Sequence, residues 1–422
     1  LFPLITFPYI TRILGPIGIG KAQFVQAFAD YFRLFASLGI PLYGLREIAR
    51  VRNDPDNFRK TFSELIIISF VANVIATAVY VSLFAFIPKM QIDKDLFLVF
   101  GAYVFLNFLS LDWFFQGIED YRIITIRSIA VKIATVIAII LVIKEEEDFT
   151  RYGVVIMLSF AAANFLNFFF SQKKAQLRFT GLNLSRHFSG ILKTFLMAVI
   201  VKLYIGLDKI MIGFISGDEF VGYYALGEKV VRILLVLVTS LSTVLLPRVS
   251  NLFETGQEEK FHELLGKSIR FMFAIGIPMT IGTIVLAPNL SSLFGGEKFE
   301  PSVNALRLLS LMILPSGFAS IAGLQILYAS GREKSYLVSL LAGSVVALTL
   351  NLLLIPKYKH VGAAAATAIA SYVGVLIQCY FARIELRGKI FTLGNGKILA
   401  GSAVIAGFLL LIYPYLSKDG GD

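Results

Sequence analysis

Residues 20–46 read GKAQFVQAFADYFRLFASLGIPLYGLR, and residues 222–248 read GYYALGEKVVRILLVLVTSLSTVLLPR. A shift of 202 positions superposes the two stretches, from their first glycine to their last arginine. Polar residues recur at equivalent positions in both copies, namely Gln26, Asp30 and Ser37, and then Glu228, Arg232 and Thr239. The residues between them are almost all apolar. This self-similarity predicts a duplicated membrane helix bundle with matching polar faces, which is typical of two-lobed transporters.

The composition favours lipid rather than water as the solvent. Of the 422 residues, 57% are hydrophobic and only 16% are charged, and a soluble protein of this size could not bury so much apolar surface. The net charge of +11 is concentrated in short loops between apolar runs, which argues for a membrane protein and against a nucleic-acid partner. The single cysteine, Cys379, excludes an intrachain disulfide and a multi-cysteine metal site.

Thirteen apolar runs are candidates for spanning helices, which need roughly 20 residues each. They lie near residues 1–9, 23–46, 64–87, 96–117, 123–143, 152–172, 191–215, 220–246, 269–293, 302–328, 336–356, 361–382 and 397–416. Helices are expected because these runs are about twice as long as the strand of a membrane barrel. The chain begins at Leu1 inside an apolar run, so we expect the first helix to be truncated.

Basic residues cluster in alternate connections between these spans. The loops after the even-numbered spans carry residues such as Arg50, Lys173 and Arg248, whereas the other loops are mostly shorter and less basic. Positive residues stay on the cytoplasmic side of a membrane. The even-numbered loops and the N-terminus are therefore expected in the cytoplasm of a multi-pass protein of the cytoplasmic membrane.

The predicted fold is an all-α polytopic membrane protein of two six-helix lobes with one or more additional C-terminal helices. Because each repeat has an even number of spans, both lobes have the same orientation and are related by a pseudo-two-fold axis along the membrane normal, with a cavity between them. The predicted domains are an N-terminal lobe at 1–172, a cytoplasmic linker at 173–190, a C-terminal lobe at 191–382 and a further transmembrane helix in 383–422.

Charged residues inside the apolar runs are the candidate functional groups, because a charge near the bilayer centre costs about 3 kcal/mol or more without water or a partner. Helical spacing places Gln26, Asp30 and Arg33 on one face, and Glu228 and Arg232 on another. Each face either holds a structural salt bridge or lines a hydrated cavity. The recurrence of the polar face in both repeats favours the cavity.

The charged spans hold more basic than acidic residues, which predicts an anionic cargo such as a phosphate or diphosphate group. The candidate cargo-binding residues are Gln26, Arg33, Lys132, Lys202, Lys229, Arg232 and Arg307. The candidates for binding a coupling proton or cation are Asp30, Asp112 and Glu228. Snorkelling to the membrane interface explains Arg127, Asp208 and Lys209 equally well.

Other local signals are weaker. The histidines lie in loops far apart in sequence, so no metal site is expected. The run GPIGIG at 15–20 follows a membrane helix and lacks the Lys-Ser/Thr of a nucleotide-binding loop, so we interpret it as a tight turn between helices. The candidate helix kinks are Gly39-Ile40-Pro41, Pro247, Pro278, Pro288 and Pro315.

Three motifs stand out, PYITRILGP at 8–16, LREIAR at 45–50 and DWFFQG at 112–117. Together they resemble the O-antigen flippase branch of the polysaccharide transporter family, within the multidrug/oligosaccharidyl-lipid/polysaccharide (MOP) flippase superfamily. Ile19 departs from the tyrosine that the family commonly has. Arg12 and Arg33 match basic residues that line the cavity of the related lipid II flippases, so the resemblance adds Arg12 to the cargo-binding candidates.

The resemblance implies the flipping of an undecaprenyl-diphosphate-linked oligosaccharide, such as an O-antigen, capsule or exopolysaccharide repeat unit. The cargo would move from the inner to the outer leaflet of a bacterial cytoplasmic membrane by alternating access. The implied partners are that lipid-linked glycan, the bilayer, a glycan polymerase and a chain-length regulator. No cofactor is expected beyond a coupling H⁺ or Na⁺.

Three alternatives remain open. An ion-coupled multidrug antiporter or a lipid II flippase would belong to the same superfamily, but a drug–cation antiporter would be expected to have acidic cavity walls. A membrane glycan polymerase or ligase would carry a large catalytic loop outside the membrane. The non-cytoplasmic loops are too short for such a loop, so we expect a transporter rather than an enzyme.

Overall fold

The computed structural model describes residues 2–388, 396 and 401, and every regular element in residues 2–388 is helical. The α-helices are α1 (Phe2–Ser37), α2 (Ile40–Val51), α3 (Pro55–Ser82), α4 (Pro88–Ile92), α5 (Lys94–Phe105), α6 (Asp112–Gly117), α7 (Tyr121–Val142), α8 (Phe149–Lys174), α9 (Phe188–Gly206), α10 (Asp208–Ile215), α11 (Asp218–Glu254), α12 (Glu258–Val285), α13 (Ala287–Gly295), α14 (Ser302–Ser310), α15 (Ile313–Ala319), α16 (Glu333–Phe381) and α17 (Arg383–Leu386). Short 3-10 helices lie at Leu83–Ala85, Leu106–Leu109, Glu146–Asp148, Leu184–His187 and Glu297–Phe299, and a π-helix at Ser320–Tyr328.

The helices have the length and the surface of membrane spans. Within the described residues, nine helical stretches are long and apolar enough to cross a membrane. Large apolar side chains face outward on them, including Leu141 at 69% and Val244 at 74% exposure, which suits contact with lipid. The all-α polytopic fold is therefore confirmed. The first twelve predicted spans fall on helices, and the thirteenth, near 397–416, lies outside the described residues apart from position 401.

The predicted tight turn at 15–20 is wrong in its extent. Only Gly15 leaves the helical conformation, with φ 62° and ψ −177°, and the next five residues are helical. Glycine adopts a positive φ without steric cost because it has no Cβ. Pro16 then suits the first turn of the next helical segment, since its φ is fixed near the helical value.

The predicted kink at Gly39-Ile40-Pro41 is confirmed. Gly39 has φ 73°, and α2 begins directly after it with Pro41 in the first turn. A Cβ on Gly39 would lie 2.4 Å from the backbone nitrogen of Phe195 in α9. Glycine is therefore required here both for the left-handed conformation and for the close approach of α9.

The other candidate kinks differ from one another. Pro247 and Pro278 lie inside the continuous helices α11 and α12. Pro288 lies in the first turn of α13, directly after the break that ends α12, and Pro315 lies in the short helix α15. Only the latter two therefore accompany an interruption of a predicted span.

Lys359 separates the two predicted spans that α16 contains. Its φ of 53° and ψ of −132° are not helical. A Cβ on Gly362 would lie 2.5 Å from the carbonyl oxygen of Leu354, so the chain folds back on itself at this point. The predicted separation of 336–356 from 361–382 is confirmed.

The packing of the helices divides the chain into two compact units. Unit 1 comprises Leu1–Leu14 and Lys21–Gly206, and unit 2 comprises Gly15–Gly20 and Leu207–Asp422. Residues 191–206 thus pack with unit 1, whereas the internal repeat assigns them to the second lobe. The two divisions differ because the repeat reflects equivalence of sequence, whereas the units reflect which helices pack together.

The aromatic motif at 112–117 forms part of the core of unit 1. Trp113, Phe114 and Phe115 are buried together with residues of α2 and α3, and the rings of Phe62 and Phe114 lie 4.6 Å apart. A Cβ on Gly44 of α2 would lie 2.6 Å from the Trp113 ring, so this glycine allows α2 to approach α6 closely. The motif therefore fixes the position of α2 and α6 in the bundle.

Glu64 ties the connection between α8 and α9 to α3. Its side chain is fully buried, with 0% exposure. The carboxylate accepts hydrogen bonds from the Asn183 backbone nitrogen at 2.6 Å and from Arg186 Nε at 2.9 Å, and it lies 2.8 Å from His187 Nε2. A buried charge needs such partners because its desolvation is costly. The predicted linker is therefore anchored on unit 1 before α9 begins.

Candidate functional site

The polar face of α1 holds an arginine whose guanidinium is fixed on several sides. Arg33 donates from Nη1 to Asp30 Oδ1 at 3.0 Å and from Nε to Asn107 Oδ1 at 3.2 Å, and Nη1 also donates to the Tyr103 hydroxyl. The guanidinium carbon lies 4.4 Å and 4.5 Å from the ring centroids of Tyr103 and Phe160. Cation–π contact and hydrogen bonding thus hold its plane, while the side chain remains 25% exposed.

Lys202 of α9 completes this charge cluster. Its Nζ lies 3.7 Å from Asp30 Oδ2, and its side chain is 30% exposed. A cavity of about 320 Å³ opens beside the cluster. The cavity is lined by Asp30, Arg33, Leu34, Ser37, Ile40, Pro41, Ser69, Asn107, Ser110, Trp113 and Lys202.

The cavity in unit 1 suits a polar anion. Its charged lining consists of two basic side chains, Arg33 and Lys202, and one acidic side chain, Asp30, which leaves a net charge of +1. Serine hydroxyls and the Asn107 amide supply neutral hydrogen-bonding groups around these charges. Of the sequence-predicted residues, the structure therefore brings Asp30, Arg33 and Lys202 together. Gln26 lies one turn earlier on α1, within hydrogen-bonding reach of the Tyr103 hydroxyl.

The equivalent polar face on α11 also carries an ion pair. Glu228 Oε1 accepts from Arg232 Nε at 2.7 Å and Nη2 at 2.6 Å, and Glu228 Oε2 lies 2.7 Å from Lys209 Nζ. Lys209 pairs with this carboxylate instead of reaching the interface alone. Lys229, the next residue on α11, is half-buried. Salt bridges thus form on both predicted faces, yet Arg232 remains 45% exposed.

Asp208, in the first turn of α10, has neutral partners. Its Oδ1 accepts from Asn351 Nδ2 at 2.6 Å, and its Oδ2 accepts from the Tyr224 hydroxyl at 2.9 Å. That hydroxyl lies 3.2 Å from Thr367 Oγ1. Asn351 is fully buried, and its Oδ1 has no hydrogen-bond partner within residues 2–388. A carboxylate and an unsatisfied amide oxygen in one cluster could accept a proton or bind a cation.

The remaining predicted residues lie outside the cavity of unit 1. Asp112 Oδ1 pairs with Arg127 Nη1 at 2.9 Å and accepts from Asn167 at 2.9 Å. Arg127 is only 7% exposed, so it lies inside the bundle and does not snorkel, although its partner Asp112 is partly exposed. The three other cargo-binding candidates are exposed and are absent from the cavity lining. They are Arg12 on α1, Lys132 on α7 and Arg307 on α14.

Sequence reasoning missed the groups that orient Arg33 and the partners of Asp208. Tyr103 and Asn107 are four residues apart within an apolar run, and this spacing was an available signal for a polar face. Asn351 is likewise an amide inside the predicted span 336–356. Phe160 carried no signal, because aromatic residues are common in membrane helices.

Structural comparison confirms the predicted MOP-like fold. The inward closed conformation of a lipid II flippase MurJ matches with a TM-score of 0.72 at 16% identity, over 99% of this chain and 96% of that chain. The inward-facing conformation of a multidrug resistance MATE family transporter of the MOP superfamily matches with a TM-score of 0.73 at 14% identity, over 92% and 94% of the two chains.

Sequence comparison identifies the family. A putative O-antigen transporter from Escherichia coli (strain K12) is 23% identical over 367 residues, which cover 86% of this chain and 88% of that protein. The MatE family model matches residues 193–353, and the family model described as polysaccharide biosynthesis protein matches residues 1–253. Because the latter match covers more than half of its length, the chain belongs to the polysaccharide biosynthesis protein family.

Proposed function

We propose that the chain is a flippase that moves an undecaprenyl-diphosphate-linked oligosaccharide from the inner to the outer leaflet of the bacterial cytoplasmic membrane. The observation that carries this proposal is the cationic cavity of unit 1, which is built into membrane-spanning helices from Arg33, Asp30 and Lys202. The names of the relatives support the same reading, since they include an O-antigen transporter.

Arg33 and Lys202 would hold the diphosphate. Arg33 keeps its Nε and Nη1 on protein partners, and within the described residues no hydrogen-bond partner occupies Nη2. Lys202 is only loosely paired, because its ammonium is 3.7 Å from Asp30. One fixed guanidinium edge and one mobile ammonium provide directional and non-directional contacts to phosphate oxygens.

Unit 2 would supply a second anion-binding set of residues of its own. Arg232 stands at the position in the repeat that corresponds to Asp30, and it is 45% exposed although it pairs with Glu228. Lys209 and Lys229 add positive charge around that single carboxylate. Alternating access to these sites would carry the glycan across while the lipid tail stays in the bilayer.

The coupling ion or proton is best assigned to Asp208. Each of the three candidates from the sequence, Asp30, Asp112 and Glu228, accepts an ion pair from a basic residue, so a proton or Na⁺ would have to displace that base. Asp208 is bound by neutral groups, and the unsatisfied Oδ1 of Asn351 lies in the same cluster. Since Asp208 has no salt bridge to another residue of 2–388, coupling there would displace none of these basic residues.

The proposal places the chain in a glycan-assembly system. Its N-terminus would lie in the cytoplasm, and a glycan polymerase and a chain-length regulator would use the flipped product. The chain would act as a transporter and perform no covalent chemistry on the glycan.

Flipping measured in proteoliposomes tests the proposal. Arg33→Gln and Lys202→Gln should each slow the transfer of an undecaprenyl-diphosphate-linked oligosaccharide, and neutralising Arg33 and Arg232 together should abolish it. The matched control is Arg59→Gln, which removes an exposed arginine near the start of α3. Unchanged transfer by the double variant would refute the assignment. Drug efflux that survives loss of both arginines would instead favour the multidrug antiporter suggested by the MatE match.

A further inference from the structure

An apolar groove lies in unit 1 beside the charged cavity. Its volume is about 740 Å³, and every residue that lines it is apolar. Phe35 of α1, Val71 and Ile75 of α3, and Phe195 of α9 form its walls, and the Phe35 and Phe195 rings lie 5.7 Å apart. Both the groove and the cavity fall in the size range of ligand-binding pockets, roughly 300–1,000 Å³.

Both the groove and the cavity take lining residues from α1, α3 and α9. On α3, Ser69 lines the cavity while the preceding residue, Ile68, lines the groove. On α9, Lys202 lines the cavity and Phe195, about two helical turns earlier, lines the groove. One molecule with an anionic head and an apolar tail can therefore contact both at once.

The groove is long and recessed. Its lining on α3 runs from Ile67 to Val79, which corresponds to about 18 Å of helix, more than half of the roughly 30 Å hydrocarbon core of a bilayer. The small residues Ala72 and Ala76 lie between the larger ones and deepen it. Helix α9 packs against α2 and not closely against α3, which leaves the space open.

We propose that this groove binds the first isoprene units of the cargo's polyprenyl chain while Arg33 and Lys202 hold the diphosphate. The proposal rests on the proposed function, because it assumes that the diphosphate occupies the cavity of unit 1. Charge favours this occupant over a bulk phospholipid, since a diphosphate matches two cations better than a single phosphodiester does.

The groove contributes selectivity more than affinity. The surrounding lipid is as apolar as the groove, so the chain gains no hydrophobic transfer energy by entering it. What it gains is dispersion contact with fixed side chains and a defined path away from the head. Blocking the groove should therefore weaken binding by about three- to tenfold and should not abolish it.

Two probes with the same head, one with a polyprenyl tail and one without a tail, test this inference. Undecaprenyl diphosphate and inorganic pyrophosphate would be titrated against the protein in nanodiscs, with the fluorescence of Trp113 in the cavity as the readout. Val71→Phe and Ile75→Phe fill the groove from positions that are 50% and 59% exposed. Val345→Phe, at a 56% exposed position of α16, is the matched control.

Both groove variants should weaken the binding of undecaprenyl diphosphate three- to tenfold and leave the binding of pyrophosphate unchanged, whereas the control should change neither. Pyrophosphate binding also reports that the variants are folded. An equal effect on both probes, or no effect on either, would overturn the groove assignment. Failure of the proposed function itself would be seen with another variant. If the diphosphate does not bind in the cavity, Arg33→Gln would leave the binding of both probes unaltered.

A photoreactive phospholipid distinguishes specific from bulk occupancy. A diazirine on its acyl chain should label the peptide around Val71, and added undecaprenyl diphosphate should prevent that labelling. Labelling that persists at saturating undecaprenyl diphosphate would show that ordinary lipid fills the groove, and the assignment would be wrong.

Discussion

Replacing Asp30 by asparagine should tighten diphosphate binding in unit 1, whereas removing Arg33 should weaken it. The Asp30 carboxylate lies 3.0 Å from Arg33 Nη1 and 3.7 Å from Lys202 Nζ, between the two cations of the cavity. Asparagine has the same shape and can still accept the Arg33 hydrogen bond. The variant therefore changes the net charge of the lining from +1 to +2 with little change in geometry.

The size of the effect follows from these distances. A phosphate that touches both cations lies on the order of 6 Å from the Asp30 carboxylate. With an effective dielectric constant of about 40–80 for a water-filled cavity, one unit charge at that distance contributes about 0.7–1.4 kcal/mol. Asp30→Asn should therefore lower the Kd about three- to tenfold. Slower release of the cargo should reduce the flipping rate at saturation.

The single tryptophan of the chain makes the assay label-free. Trp113 lines the cavity, so its fluorescence can report a titration with geranyl diphosphate. The measurement should be made in about 0.05 M and 0.5 M NaCl, because charge effects at this range weaken as the Debye length falls below about 10 Å. Asp95→Asn, which removes an exposed carboxylate from the first turn of α5, is the control.

Two results would refute the reasoning. If Asp30→Asn weakens binding as Arg33→Gln does, Asp30 acts by holding the guanidinium in place and not through its charge. If Asp95→Asn produces the same gain as Asp30→Asn, the effect arises from the net charge of the protein and not from the cavity.

Three further changes address coupling and stability. Asp208→Asn should retain diphosphate binding and lose the dependence of flipping on a proton or Na⁺ gradient, because the carboxylate charge is removed. Glu64→Gln should lower the free energy of unfolding by about 3 kcal/mol, and with it the Tm, because it breaks a buried ion pair. The control is Glu47→Gln, which removes an exposed ion pair and should change that free energy by no more than about 0.5 kcal/mol. Gly39→Ala should lower the Tm more than Gly181→Ala. A Cβ at position 181 would have no atom within 4 Å, so that variant should lose only about 1 kcal/mol of stability through its left-handed backbone conformation.

Each of these three predictions would be contradicted by a specific result. Gradient-dependent flipping by the Asp208 variant would assign coupling elsewhere. Limited proteolysis of residues 175–187 should accelerate in Glu64→Gln, and unchanged cleavage would show that the connection is held by other contacts. Equal Tm values for the Gly39 and Gly181 variants would show that α9 can move away from the new methyl group.

The helical framework was predictable because it depends on local properties of the sequence. Apolar runs of about 20 residues leave the backbone in lipid no alternative but helix, so the twelve predicted spans within residues 2–388 fall on helices. The kink at Gly39-Ile40-Pro41 was equally local, since glycine and proline control backbone conformation at their own positions. The predicted turn at 15–20 was too long because glycine content alone does not indicate which residue leaves the helical conformation.

The chemistry of the cavity was only partly predictable. The charges of Asp30 and Arg33 follow from one helix, and their ion pair was a stated possibility. The orientation of the guanidinium depends on Tyr103 and Asn107, about 70 residues away, and on Phe160. No periodicity within a single helix records such a contact.

The sequence also did not reveal which charged residues near helix ends have partners inside the bundle. Arg127 was equally well explained by snorkelling, yet it is buried against Asp112. Asp208 gains its hydrogen-bonding partners from α11 and α16. Whether a charge near a helix end is solvated or buried depends on the neighbouring helices, and a single sequence does not supply them.

The reversal at Lys359 couples the biogenesis of the two halves of α16. With one non-helical residue between them, neither half can enter the bilayer and leave the other behind, so they insert as a helical hairpin. The Lys359 ammonium at the tip lies 4.2 Å from the centroid of the Phe220 ring, which gives the charge a partner. The two halves of α16 therefore depend on each other for insertion, whichever side of the membrane the tip faces.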